Sequence, residues 1–142
     1  MAKGRVTLVD TNVLLDVMTE DPDWYDWSQS RLAEAADAGL LAINPIIYAE
    51  LSAGFKRMED LDALLKDEFE RLPLPWEAGF LAGQCFHKYR RQGGAKRSPL
   101  PDFYIGAHAM VAGMTLLTRD AGRYKAYFPK LAVVEPYSGK TM

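Results

Sequence analysis

The stretch Val6–Asp16, "VTLVDTNVLLD", decides the fold. Its first four residues are β-branched or apolar and read as a short buried strand. The run stops on Asp10, and Thr11 and Asn12 follow before apolar residues resume. An acid at the end of a buried strand loses water around its charge, so it needs a reason to be there. In an open α/β sheet that position is where ligands bind, beyond the carboxyl ends of the strands at the point where strand order reverses.

Working outward, apolar strand-like runs recur at Arg5–Val9, Leu40–Ile43, Arg71–Leu74, Thr115–Thr118 and Ala132–Glu135. Between them lie stretches with helical spacing. Asp23–Ala38 opens on a capping acid and stops at Gly39, and Pro45–Phe55 has Asn44 as N-cap with proline at its first position. "EDLDALLKDEFERL" places Leu61, Leu64, Leu65 and Phe69 on one stripe, Glu77–Arg91 ends in a cationic turn before Gly93 and Gly94, and Pro101–Gly113 comes last. Strands alternating with helices predict parallel βαβ units in a five-stranded, three-layer α/β/α sandwich, one domain over residues 1–142. Asp120, just past the fourth run in "TLLTRDAG", then faces the same crevice as Asp10.

The 17 basic and 19 acidic residues give a net charge of −2. This excludes a generally basic nucleic-acid binder, so any such contact needs a local basic patch. Cys85 is the one cysteine, which rules out an internal disulfide and a Cys-rich zinc site. Near the N-terminus Lys3 and Arg5 precede only the short apolar run Val13–Leu15, which meets Asp16; no signal peptide or membrane span is expected, and the chain reads as cytoplasmic.

Three further acids join Asp10. With Ile46 at zero on a helical wheel, Glu50 falls at about 40°, inside the arc of Ile47 and Leu51. A salt bridge or a cation explains an acid there. Asp102 in "SPLPDFYIGAHAMVAGM" either steadies a helix dipole or faces the crevice, and Gly106, Ala109 and Gly113 make a flat seam for close approach to the sheet. Asp120 either caps the short turn "DAGRYKAYF" or faces the crevice. Asn12 is read as an N-cap or a positioner of Asp10, and Asp16 as a solvated acid or one that supports a ligand. Carboxylates gathered in one crevice repel one another unless a counter-charge is present. All-oxygen ligation suits Mg2+ or Mn2+, whereas the two histidines, 21 positions apart, make no zinc site.

These segments carry a family resemblance. "LVDTNVLLD", Glu50 in "NPIIYAELSAGF", "SPLPDFYIGAHA" and "LLTRDAGRYKAYFP" resemble the motifs of PIN-domain ribonucleases, and more narrowly the VapC toxins of VapBC toxin–antitoxin modules. The likeness spans nearly the whole chain, with 40, 52 and 18 residues between successive acids. It implies a parallel sheet in the order 3-2-1-4-5 and a Mg2+- or Mn2+-dependent endoribonuclease. Asp10, Glu50, Asp102 and Asp120 would be its catalytic, metal-holding quartet, supported by Thr11, Asn12 or Thr118. It further implies a transfer-RNA or ribosomal-RNA substrate cut to a 3′-hydroxyl and a 5′-phosphate, a cognate VapB-type antitoxin and a toxin homodimer.

Because an acidic pit repels phosphate, RNA must be drawn by cations on its rim: Arg119 and Arg123 beside Asp120, Lys96 and Arg97 before Asp102, and the turn Lys88–Arg91. Trp24, Tyr25 and Trp27 read as core or partner surface, Cys85 and His87 as structural. His108 also reads as structural, with support of Asp102 as the alternative. A phosphatase of the haloacid-dehalogenase kind needs a second acid two residues after the first, where this chain has Asn12. A PIN-like scaffold that binds RNA or protein without cutting is the other rival, and it gives no reason for four acids to converge.

Overall fold

In the computed structural model, which describes residues 5–136, Val6–Val9 forms β1, and Leu8 and Val9 have no exposed surface. Lys3 lies outside the described residues. The strand is covered on both faces because it is the middle of the sheet. It pairs in parallel with β2 (Leu40–Ile43) on one side and β4 (Thr115–Leu117) on the other. With β3 (Glu70–Arg71) and β5 (Val133–Val134) at the edges, five parallel strands run β3-β2-β1-β4-β5. Helices flank the sheet in three layers, as expected from the alternation and from the resemblance. Strand order reverses at β1, between β2 and β4.

The edge strands are shorter than the expected Arg71–Leu74 and Ala132–Glu135. Leu72 still donates its N–H to Ile43, but Pro73 and Pro75 have none to give, so pairing ends there. Gly39 is required at the entry to β2, because a Cβ would stand 2.1 Å from the Arg5 carbonyl oxygen.

The helices are α1 (Thr11–Met18), α2 (Tyr25–Ala38), α3 (Pro45–Ser52), α4 (Met58–Leu65), α5 (Trp76–Arg91), α6 (Pro101–Ala112) and α7 (Gly122–Tyr127). The acid that caps the turn into α2 is Asp21, which accepts from the N–H groups of Asp23 and Trp24, not Asp23 itself. α3 stops three residues before Phe55, and α4 stops at Leu65 because Lys66 adopts φ 55°, leaving Phe69 beyond the helix and Leu64 exposed. In α6, Gly106 meets the ring of Phe128 instead of the sheet, with a Cβ there 2.4 Å from that ring. Gly113 ends the helix in the left-handed conformation at φ 67°. None of the described helices is long and apolar enough to cross a membrane.

Candidate functional site

Asp10 extends β1 by one ladder bond, its N–H reaching the Leu117 carbonyl at 2.9 Å. Its side chain then caps α1: Oδ1 accepts from the Thr11 N–H at 2.8 Å. The N-cap is thus Asp10 and not Asn12. Oδ2 accepts from the Thr118 hydroxyl at 2.8 Å and the Tyr124 hydroxyl at 3.0 Å. Asp10 is 5% exposed, and burial, aided by the charge of Asp102, pushes its pKa up to about 6 against the pull of those three donors.

Asp102 stands in the first turn of α6, half-buried. Its Oδ1 lies 3.3 Å from the same Tyr124 hydroxyl, and its Oδ2 lies 3.4 Å from Arg123. Tyr124 itself is 1% exposed, and burial together with the two carboxylates raises its pKa far above the ordinary phenol value. One hydroxyl proton thus serves two carboxylates, and the arrangement is short of positive charge.

Glu50 and Asp120 are exposed, unlike the buried acid that the wheel predicts at Glu50. Glu50 sits at the rim of α3, next to exposed Ala49, where it accepts from the Thr11 hydroxyl at 2.5 Å. Asp120 does not cap α7, whose N-cap is Ala121 with no side-chain bond; its own N–H donates to the Thr118 hydroxyl oxygen at 3.1 Å. Asn12 braces this turn, its Oδ1 accepting from the Arg119 N–H at 3.1 Å and its Nδ2 reaching Thr118 at 3.4 Å. Thr11, Asn12 and Thr118 therefore tie Asp10, Glu50 and the backbone of Asp120 into one hydrogen-bonded network at the carboxyl ends of β1 and β4, which Asp102 joins through Tyr124.

The network is graded rather than a closed cage. Among the described residues no three His, Cys, Asp or Glu side chains stand close enough together to hold a metal ion. Asp10 and Asp102 make the innermost pair, with Glu50 and Asp120 further out. This donor set fits Mg2+ or Mn2+, since Mg2+ keeps several waters and takes one or two carboxylates directly.

Asp16 is not solvated. It is buried, and Arg119 grips it twice, Nε to Oδ2 at 2.8 Å and Nη2 to Oδ1 at 3.0 Å, while Ser28 donates to Oδ2 at 2.7 Å. The Arg119 guanidinium also lies 5.2 Å from the centre of the Trp24 ring, which meets Trp27 edge-on. The cation expected on the RNA rim is thus engaged within the fold. Lys96 and Arg97 are exposed on the loop between α5 and α6, which Arg90 shapes by donating to the carbonyls of Gly94, Ala95 and Lys96.

His108 is buried. Its Nδ1 lies 3.0 Å from the Asn44 amide that caps α3, and its pKa is lowered by burial. It braces α3 against α6 and touches neither Asp10 nor Asp102 among the described contacts. Cys85 is buried with its thiol pKa raised by burial, and His87 is exposed. The residue missed in the sequence is Tyr124. Its signal was an amphipathic aromatic four residues past Asp120, since a buried tyrosine hydroxyl usually finds a polar partner.

The family model described as PIN domain matches residues 7–129. No curated protein sequence matches the chain. Among solved structures, the chain is similar to VapBC2 from Rickettsia felis bound to a DNA fragment from their promoter, with 24% identity and TM-score 0.71, covering 93% of this chain and 99% of that one. It is similar to VapBC-1 from nontypeable Haemophilus influenzae at 20% identity and TM-score 0.68, covering 92% and 97%. A toxin–antitoxin complex from Klebsiella pneumoniae aligns at 26% identity and TM-score 0.62, covering 92% and 98%. By the family model and by its parallel sheet with Asp10 at the switch point, this chain belongs to the PIN-domain family.

Proposed function

We propose that this chain is a divalent-metal-dependent endoribonuclease and the toxin of a type II toxin–antitoxin pair. One observation carries the reading: buried Asp10 meets Asp102 across a single shared hydroxyl, a pair short of positive charge at the switch point of the sheet. Mg2+ or Mn2+ bound there lowers the pKa of water toward neutrality and offsets charge gathering on the phosphodiester.

Each side chain has its part. Asp10 and Asp102 would hold the ion, with Glu50 and Asp120 completing the acidic quartet around it. Thr11 fixes Glu50, while Thr118 orients Asp10 and, with Asn12, sets the turn that carries Asp120. Exposed Lys96 and Arg97 draw the RNA backbone toward an otherwise repellent pit. The bond broken is a phosphodiester of a transfer or ribosomal RNA, leaving a 3′-hydroxyl and a 5′-phosphate. Several solved neighbours are VapBC or toxin–antitoxin complexes, which supports a VapB-type antitoxin as partner of this chain.

The test is to incubate the purified protein with structured RNAs, with and without Mn2+, beside an Asp10→Asn variant whose fold is checked by circular dichroism. We expect cutting that needs the ion and is absent in the variant. No cutting by the wild type leaves the non-catalytic scaffold, and equal cutting by both proteins means that the nuclease is a contaminant.

A further inference from the structure

We propose that Tyr124 is a positioning residue of the acidic site, its hydroxyl a fixed spacer that holds Asp10 and Asp102 at the separation and orientation needed to grip a divalent ion. This rests on the metal-site reading above and assigns the part of a residue whose hydroxyl bonds, among the described contacts, to the two acids alone.

The ring is anchored. Tyr124 packs into the core, and its carbonyl accepts from the Phe128 N–H at 2.8 Å. The oxygen at its tip therefore has a fixed place, 3.0 Å from Asp10 and 3.3 Å from Asp102. Packing alone is served equally by a phenyl ring. A hydroxyl buried against two like-charged groups adds nothing to the core, so its value lies in what it does to them.

The two acids depend on it differently. Asp10 is held by three donors, with both lone-pair sites of Oδ2 taken by Thr118 and Tyr124 and one of Oδ1 by Thr11. One site on Oδ1 remains, so the carboxylate offers an ion a defined direction. Asp102 is looser. Its side chain is 35% exposed, and apart from Tyr124 its described partner is Arg123, itself 45% exposed, at 3.4 Å. Without the hydroxyl, repulsion from Asp10 and the pull of water both favour rotation of Asp102 outward. An ion would then meet one carboxylate instead of two, and Mg2+ in particular tolerates little departure from its octahedral geometry.

The experiment titrates Mn2+ calorimetrically into the metal-free full-length chain and three variants: Tyr124→Phe, Tyr127→Phe and Asp10→Asn. Tyr127 is the control, because its hydroxyl bonds to Gln92 away from the acids. We expect Tyr124→Phe to keep its melting temperature within a few degrees yet bind Mn2+ about tenfold more weakly or worse, as loss of an outer partner typically does. Tyr127→Phe should bind as wild type and Asp10→Asn not at all. A tyrosine 13Cζ label reads the same contact in the wild type without any substitution: the Tyr124 resonance should move with Mg2+, its midpoint matching that ion's affinity. Wild-type affinity in Tyr124→Phe, or a Tyr124 resonance unmoved by Mg2+, overturns the spacer and leaves the nuclease reading standing. Undiminished binding by Asp10→Asn, or none by the wild type, overturns the metal-site reading and the spacer with it.

Discussion

Asp10 keeps its proton longer when folded than when unfolded, because burial raises its pKa from 3.8 to about 6. Below pH 3.8 both states are protonated and the residue costs nothing. As pH rises the unfolded chain releases the proton first, so stability falls through that window and the loss is complete above pH 6. Two pKa units correspond to about 3 kcal/mol. We therefore expect urea unfolding in chelator to show metal-free Asp10→Asn gaining stability over the wild type between pH 4 and 6, by on the order of 2–3 kcal/mol, and holding level above. A pH-independent difference would show that Asp10 titrates normally. At this scale Asp10 was legible, because a charge ending a four-residue apolar strand has few structural uses. Glu50 was misread as buried, because a wheel knows the angle of a residue but not where its helix stands clear of its neighbours. Tyr124 was hard to see, since its one local sign, an aromatic four residues past Asp120, does not say which acid 114 positions away it bonds.

At the scale of elements, the turn between β4 and α7 is held against α1 by Arg119 and Asp16. Asp16 is 3% exposed and Arg119 30%, so removing the cation leaves a buried charge nearly alone. Arg119→Ala should lose about 2–3 kcal/mol in denaturant unfolding, below the 3–5 of a fully buried pair because water still reaches the guanidinium. Asp16→Asn on top should restore much of it. A loss under 0.5 kcal/mol would place Arg119 among ordinary surface cations. Sequence could not have chosen between this anchor and an RNA contact, because both use an arginine beside an acid on a loop. The helices and strands were better marked. Alternation of period and the Asn44 and Pro45 start placed most of them, and two of the errors fell where a proline or the positive φ of Lys66 cut an element short.

Across the whole molecule, the most exposed large apolar side chains among the described residues lie together on α5. Trp76 and Phe80, one turn apart on α5, are 93% and 73% exposed. Indole and phenyl groups left in water are a feature of association surfaces, so this face is where the homodimer implied by the family resemblance is to be tested. Trp76→Glu with Phe80→Glu should turn a dimer into a folded monomer in analytical ultracentrifugation; an unchanged sedimentation coefficient would move the interface elsewhere.

The central strand has a consequence in time. On the ribosome β1 is made more than a hundred residues before its neighbour β4 and the tyrosine of α7. Because synthesis runs from the N-terminus, an emerging polypeptide carries Asp10 long before the strand that completes its surroundings. A half-translated chain therefore lacks Thr118 and Tyr124, two of the three donors to Asp10, and the acidic site is assembled only when synthesis is nearly finished.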